Sequence, residues 1–372
     1  MDGVPYALTV PAPAKLNLGL EVLGRRADGY HDLATIFLTV SLFDELSVAS
    51  TPPPRIGLEC SGSDVPPQEN LVWRAAEAMQ ERIPDRGALL KLEKRIPVAA
   101  GLGGASSDAA ATLLALRQLW QADVPEAVLA TMALRLGSDV PFLLRGGCAV
   151  GRGRGEVLEE LPIEPSPPAR EPSPPTPLPV RGRGENEAAL AGQAASDGPR
   201  PGASDSPELV APAGESPSPA HRERGWGEGS LSSLSFLIVA PRIQIPRKTA
   251  SLFAALEPGD FSDGSRVEQQ ADRLRAGLSL DPELLGNAFS RALYALRPDV
   301  RDVAEAMREA GAEHVALTGA GPAHYALITD AAMAMLVKRR LEERLGDAAE
   351  VFLTVPLPAR DNSLMSASPD HP

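Results

Sequence analysis

Residues 97–111 read Pro-Val-Ala-Ala-Gly-Leu-Gly-Gly-Ala-Ser-Ser-Asp-Ala-Ala-Ala, and no other run limits the fold of this chain as tightly. Gly101, Gly103 and Gly104 fall within four positions, so the backbone can turn sharply there and come close to a ligand. An apolar strand pattern at 88–92 leads in. A helical pattern leads out over 107–120, with Leu113, Leu116, Leu119 and Trp120 on one face. A strand, a glycine bend and a helix start in that order bring free amides and the positive end of the helix dipole to one point. That is an anion site suited to nucleotide phosphates. Ser106 and Ser107 offer hydroxyl donors or a magnesium contact, and Asp108 is expected to cap the helix start. The alternative is a plain strand–turn–helix with a glycine hinge. Gly101-x-Gly103-x-x-Ser106 only approximates a dinucleotide fingerprint, and GxxxxGK[ST] occurs nowhere, so a Walker-type site has no support.

The second constraint is a break in composition. Of the chain's 37 prolines, 15 fall between positions 162 and 234, among Gly, Ser, Glu and Arg and with almost no large apolar side chains. Such a stretch cannot bury enough surface to offset its ordering entropy, so residues 163–233 are expected to be a disordered, low-complexity insertion. Short echoes agree: EPSPP at 164–168 recurs at 171–175, and RGRGE at 152–156 recurs at 181–185. A polyproline ligand for an SH3-like partner is the functional alternative. Loop closure costs grow only logarithmically with length, so a passive insertion is tolerable.

The flanks pattern as folded, giving an N-terminal domain over 1–162, a C-terminal domain over 234–358 and a loose tail at 359–372. Strands are expected at 6–10, 16–22 and 88–92, with one or two more over 37–48, and helices at 70–82, 107–120 and 126–136. After the insertion come a strand at 236–239, helices at 250–256, 283–296 and 300–310, strands at 315–317 and 325–328, a helix at 331–345 and a strand at 350–355. The class is α+β, and the last half reads as a strand, a run of helices, two strands, a helix and a strand, the order of a split βαβ sandwich.

A formal charge of −13 argues against nucleic-acid or anionic-membrane partners, which reward clustered Lys and Arg. Cys60 and Cys148 are the only cysteines and stand far apart, which fits a reducing compartment without disulfides or zinc. Residues 1–10 lack a signal-peptide pattern, and no run approaches the roughly 18–20 apolar residues of a membrane span. A cytoplasmic protein is expected.

Residues 97–108 resemble the second signature motif of the GHMP kinase superfamily. Pro-Ala-Lys-Leu-Asn-Leu at 13–18 resembles its first motif, and Leu-Thr-Gly-Ala-Gly-Pro at 317–322 its third. The likeness covers about 1–162 and 234–357. Two further stretches are similar to the 4-diphosphocytidyl-2-C-methylerythritol kinase family within it: Gly-Arg-Arg-Ala-Asp-Gly-Tyr-His-Asp-Leu at 24–33 and Leu-Gly-Ser-Asp-Val-Pro-Phe at 136–142. The resemblance implies a two-domain GHMP kinase fold, with an S5 domain 2-like N-terminal domain and a ferredoxin-like C-terminal one. It implies ATP and Mg2+ as cofactors, and a small-molecule acceptor in the non-mevalonate isoprenoid pathway, a cytidine diphosphate-linked methylerythritol phosphorylated on its 2-hydroxyl.

The resemblance also implies roles. Asp139 would be the general base and Lys15 its partner, because an acceptor hydroxyl must lose a proton as it attacks the γ-phosphate. The alternatives are a helix cap for Asp139 and a snorkelling surface lysine for Lys15. Asn17, on the same strand face as Lys15, would orient the acceptor. Tyr30 offers a flat face for a pyrimidine and His31 a hydrogen-bonding edge, unless the two are simply a turn pair. Thr249 and Phe253 would complete the acceptor side, Phe253 either closing over the base or lying in the core. Nucleotide contacts would come from Pro97, Gly101, Leu102, Gly103, Gly104, Ala105, Ser106 and Ser107, with Asn70 and Lys94 near the adenosine; the metal ligands stay unassigned. The chain departs from the family at 288–290, Ala-Phe-Ser where Asp-Leu-Glu is common, and at His324-Tyr325. A monomer or homodimer is expected. The alternatives are a homoserine- or mevalonate-type GHMP kinase, or a non-catalytic nucleotide-binding protein.

Overall fold

The structure is a computed structural model that describes residues 7–163 and 231–360. The expected disorder of the insertion and nearly all of the expected tail lie outside those residues. Two edges of these readings do fall inside. Leu231 is 4% exposed in the core, so ordered structure resumes before position 234. Ala359 bridges Gly146, and Arg360 donates its amide to the Arg145 carbonyl at 2.8 Å, so the tail begins later than 359.

The first half is built on a long hairpin. Strand β1 (Leu8–Arg25) pairs antiparallel with β2 (His31–Thr51) from Leu8 opposite Val48 to Arg25 opposite His31. The sequence suggests two strands here, because Pro11 and Pro13 interrupt the pattern. They are one strand: β2 is the one strand that β1 pairs with among the described residues, and a register shift at Pro13/Ala14 absorbs the distortion. The opposite edge of β2 holds β4 (Gly87–Glu93) beside its far half and β5 (Cys148–Gly153) beside its near half. Outer strands β3 (Ile56–Ser61) and β6 (Val157–Leu161) complete a six-stranded sheet.

Helix α1 (Leu71–Arg82) crosses from β3 to its parallel neighbour β4; Asn70 caps it, accepting from the Val72 amide. Helix α2 (Gly104–Leu119) starts straight after the glycine bend and lies buried against the sheet, where Ala109, Ala110 and Ala111 permit close approach. Helices α3 (Glu126–Leu136) and α4 (Val140–Arg145) follow.

The second half carries β7 (Ser235–Pro241), β8 (Val315–Leu317), β9 (His324–Ile328) and β10 (Ala349–Thr354) in the sheet order β10-β7-β9-β8, antiparallel throughout. Helices α5 (Lys248–Ala254), α6 (Ser265–Arg275), α7 (Ser290–Leu296), α8 (Pro298–Glu309) and α9 (Ala331–Leu345) complete it. This is the expected split βαβ sandwich, with α6 unforeseen. The continuous helix expected over 283–296 is not formed. Leu20 bonds to the Gly286 carbonyl and the Ala288 amide at 2.9 Å each, so this stretch follows the edge of β1 and α7 starts only at Ser290. Long-range pairing outweighs helix propensity there.

Leu16, Leu18 and Ile36 from the first sheet share one apolar cluster with Phe236, Ile238 and Tyr325 from the second. Among the described residues no helix is long and apolar enough to cross a membrane.

Candidate active site

Three segments far apart in sequence meet at the glycine bend. Gly101 has φ +91° and Gly103 +73°, the left-handed region that favours glycine. A Cβ at Gly101 would stand 2.5 Å from the Thr318 carbonyl, and one at Gly103 would stand 2.8 Å from the Lys15 Cγ. The Lys15 amide donates to the Leu102 carbonyl at 2.9 Å, and the Ala323 amide to the Ala100 carbonyl at 3.0 Å. The bend therefore touches β1 on one side and the β8–β9 turn on the other.

β1 delivers Lys15 and Asn17 to the same face. The Lys15 ammonium, on a side chain only 4% exposed, donates to Asn17 Oδ1 at 2.6 Å, lies 3.6 Å from Asp139 Oδ2 and sits 5.7 Å over the Phe37 ring. Asn17 is held in turn: its Nδ2 donates to Thr35 Oγ1 at 2.8 Å, and Thr35 donates to the Gly19 carbonyl. Its amide donates to Thr318 Oγ1 at 3.1 Å. Asp139 occupies the N-cap position of α4 but makes no side-chain cap bond, which frees its carboxylate for Lys15; it is 29% exposed.

Two cavities adjoin here and share Gly101 and Gly103 as walls. The first is lined by Asn70, Lys94, Pro97, Leu102, Gly104, Ala105 and Ser106. The second, about 860 Å³, holds Lys15, Asn17 and Asp139 at one end and Tyr30, His31, Thr249 and Phe253 farther along. Every residue singled out from the sequence lines one or the other except Ser107. Its side chain is fully buried and its hydroxyl has no partner among the described residues. The reason is the early start of α2: with Gly103 at the N-cap, Ser107 falls a full turn into the helix and faces the core.

The same shift removes Asp108 from the cap. Its carboxylate accepts from Lys94 at 2.7 Å, and Lys94 also pairs with the fully buried Asp44. Burial pushes the Asp108 carboxyl well up, to about 7, against the pull of Lys94. Burial works to lower the Lys94 ammonium, but Asp108 and Asp44 outweigh it and leave its pKa raised. Lys94 is thus a locked structural cation as well as a cavity wall.

At the far end, His31 stacks on Phe253 with ring centres 4.4 Å apart and planes at 13°. Phe253 meets Phe289 edge-on. Phe253 thus packs on His31 itself, and Tyr30, 55% exposed, remains the open aromatic face. Burial and the Arg25 charge lower the His31 pKa, which favours the neutral ring.

Two of the cavity residues that escaped the sequence reading are held by defined contacts. The Arg154 guanidinium lies 4.8 Å from the Tyr30 ring centre; it was hidden inside the RGRGE repeat that suggested low complexity. Lys248 lies beside Thr249 and bonds to the Ala99 and Gly321 carbonyls; nothing local in Ile-Pro-Arg-Lys-Thr marks it. Asn287 is a third omission: its Nδ2 donates to the Leu317 and Gly319 carbonyls at 3.1 and 2.8 Å and fixes the β8–β9 turn.

The family model of the GHMP kinases N terminal domain matches residues 70–147, and that of the GHMP kinases C terminal domain matches residues 267–347. A curated relative from Pelotomaculum thermopropionicum, a 4-diphosphocytidyl-2-C-methyl-D-erythritol kinase, is 32% identical over 344 residues, or 91% of this chain and 96% of the relative. The kinase of the same description from Moorella thermoacetica is 35% identical over 338 residues, 90% of this chain and 95% of its own length. A crystal structure of 4-(cytidine 5'-diphospho)-2C-methyl-D-erythritol kinase superposes with a TM-score of 0.63 at 29% identity, covering 94% of this chain and 99% of that one. With alignments running nearly end to end over both halves, the chain belongs to the 4-diphosphocytidyl-2-C-methyl-D-erythritol kinase family of the GHMP kinases, a phosphotransferase that acts on an alcohol.

Proposed function

We propose that this enzyme transfers the γ-phosphoryl group of ATP to the 2-hydroxyl of 4-diphosphocytidyl-2-C-methyl-D-erythritol, in the cytoplasm, as a step of the non-mevalonate isoprenoid route. One observation carries the reading: the Lys15–Asp139 pair stands where the two cavities meet at Gly101 and Gly103. Nucleotide phosphates in the first cavity would end on the bend's amides, and an acceptor in the second would bring its hydroxyl to the carboxylate. Phosphoryl transfer needs an in-line approach, a proton acceptor and positive charge for the transferred group. Asp139 accepts the hydroxyl proton, Lys15 counters charge on the phosphoryl oxygens, and Asn17 holds the Lys15 ammonium in place.

For the acceptor, Tyr30 offers the stacking face, and the neutral His31 ring offers an edge to the pyrimidine. Phe253 supports His31 by stacking behind it. The aromatic group disfavours homoserine- and mevalonate-type acceptors, which have no ring to stack. Among the described residues no three His, Cys, Asp or Glu side chains converge as a metal cage. Magnesium carried mainly on phosphate oxygens fits such a site, with the Ser106 hydroxyl and the Asp139 carboxylate as the protein oxygens at hand. Bound there, it would neutralise phosphate charge.

The test is ADP release by purified protein with ATP and Mg2+ and, in turn, the cytidyl acceptor, homoserine and mevalonate. Turnover with the cytidyl compound alone is expected. Preference for either of the others would overturn the reading.

A further inference from the structure

Lys248 opens α5 on the wall of the cavity that holds Lys15 and Asp139. Its ammonium donates to the Ala99 carbonyl at 2.6 Å and to the Gly321 carbonyl. The first acceptor belongs to the arm of the glycine bend, where Ala99 has φ +57°, and the second to the β8–β9 turn that packs on that bend. Among the described residues no carboxylate pairs with Lys248. Burial first, then the nearby Lys15 charge, lowers its pKa to about 8.

A partly buried ammonium held by carbonyl oxygens, with another ammonium acting on it, is poorly compensated. The imbalance extends along the cavity: among its described lining residues Lys15, Arg135, Arg154 and Lys248 face the carboxylate of Asp139, and of the two arginines Arg154 also pairs with Glu156 at 3.6 Å. That is an island of positive charge in a chain of formal charge −13. Such a local field selects a polyanion. The two carbonyl oxygens that hold Lys248 are hydrogen-bond acceptors set side by side at the mouth of the bend, as phosphate oxygens would be. Ala99 lines the nucleotide cavity while Lys248 itself lines the acceptor cavity, so the ammonium stands where the two adjoin, whereas Arg154 lies by Tyr30.

We propose that Lys248 is a second phosphate-binding ammonium of the transfer site, exchanging the Ala99 and Gly321 carbonyls for the terminal phosphate of ATP and sharing with Lys15 the charge of the transferred group. The proposal rests on the kinase reading above. Lys248 keeps its proton and forms no covalent bond. The acceptor oxygen bonds to the γ-phosphorus, the bond from that phosphorus to the bridging oxygen of ADP breaks, and the acceptor proton passes to Asp139.

Two experiments decide it. K248Q, K248M and K248R are assayed for kcat and for both KM values, with melting temperature as the folding control. Gln keeps an N–H donor for the carbonyls but no charge, so a mere clip predicts K248Q near wild type. The proposal predicts K248Q and K248M each down roughly 100-fold in kcat, with K248R recovering most of it and the acceptor KM within about threefold of wild type. Unchanged kcat in K248Q, or a loss confined to the acceptor KM, would overturn it. The second experiment uses the wild-type protein and needs neither turnover nor a folded variant: acetylation of Lys248 is followed by mass spectrometry with and without ATP and Mg2+. About tenfold protection is expected, and none would overturn the proposal. Absence of wild-type turnover on any acceptor, with protection intact, would count against the kinase reading and leave Lys248 as a phosphate ligand.

Discussion

Lys15 is restrained on several sides at once, by Asn17 Oδ1, by the Asp139 carboxylate and by the Phe37 ring, so little entropy remains to be lost when it meets a phosphate. The geometry makes Asp139 the most exposed to test. Asp139→Asn keeps the shape but cannot accept the hydroxyl proton, so kcat is expected to fall about 10²- to 10⁴-fold while ATP affinity stays within a few-fold. Turnover and isothermal titration measure the two, and unchanged turnover removes the base assignment. Lys248 supplies the pH dependence. Its pKa is lowered to about 8, so the ammonium is charged well below that pH, half neutralised near it and lost well above it. If that charge serves phosphate binding, kcat/KM for ATP declines as pH rises through about 8. In K248R, whose guanidinium does not titrate in this range, the alkaline limb disappears. A wild-type profile flat from pH 7 to 9.5 would contradict it.

At the scale of elements, the bend between β4 and α2 works because it has no side chains where other backbone must pass. Gly101→Ala would push a Cβ against the Thr318 carbonyl from a φ of +91°. The neighbouring atoms are backbone and cannot swing aside. A loss of about 1–3 kcal/mol is expected, together with weakened nucleotide binding, read by denaturant unfolding and by titration with ATP. Asn70 tests a different coupling. It caps α1 and also lines the nucleotide cavity, so Asn70→Ala is expected to cost about 1 kcal/mol, near 2–4 °C in melting temperature, and to raise the KM for ATP. A melting shift with unchanged KM would make Asn70 a cap alone. Lys94 belongs to the same scale: paired with Asp44 on β2 and Asp108 on α2, it ties the strand before the bend to the helix after it.

At the scale of the whole molecule, the two sheets share an apolar cluster, and β1 is bridged at Leu20 to Asn287 and at Val22 to Phe261. The acceptor end of the second cavity is made from both halves of the chain: Tyr30 and His31 from the first, Thr249 and Phe253 from the second. The long insertion enters after Ile163 and leaves before Leu231, and its composition offers almost no large apolar side chains to a core. Deleting 164–230 and joining the ends with a short Gly/Ser linker is therefore expected to leave kcat and melting temperature nearly unchanged. Collapse of either would show that the segment is more than a passive insertion.

The residues alone determined the strand, bend and helix of the phosphate loop, because three glycines and two periodic flanks are local chemistry. They also sufficed for the four strands of the second half and the helix between the last two, though not for α6, and for the motifs that resemble the family. Helices at 126–136 and 331–345 were legible to the residue, since each stops at a glycine, Gly137 and Gly346. Tertiary structure alone decided the rest. Lys15 meets Asp139 only because the packing of α4 sets that carboxylate against β1. Ser107 turned inward and Asp108 left its cap because the helix begins at Gly104. The helix expected over 283–296 gave way to pairing with Leu20, and Lys94 found Asp44 on a distant strand. Periodicity states which face of an element is apolar. Which charged side chains meet across elements depends on strand register and on where each helix starts, and those are fixed only when the cores close.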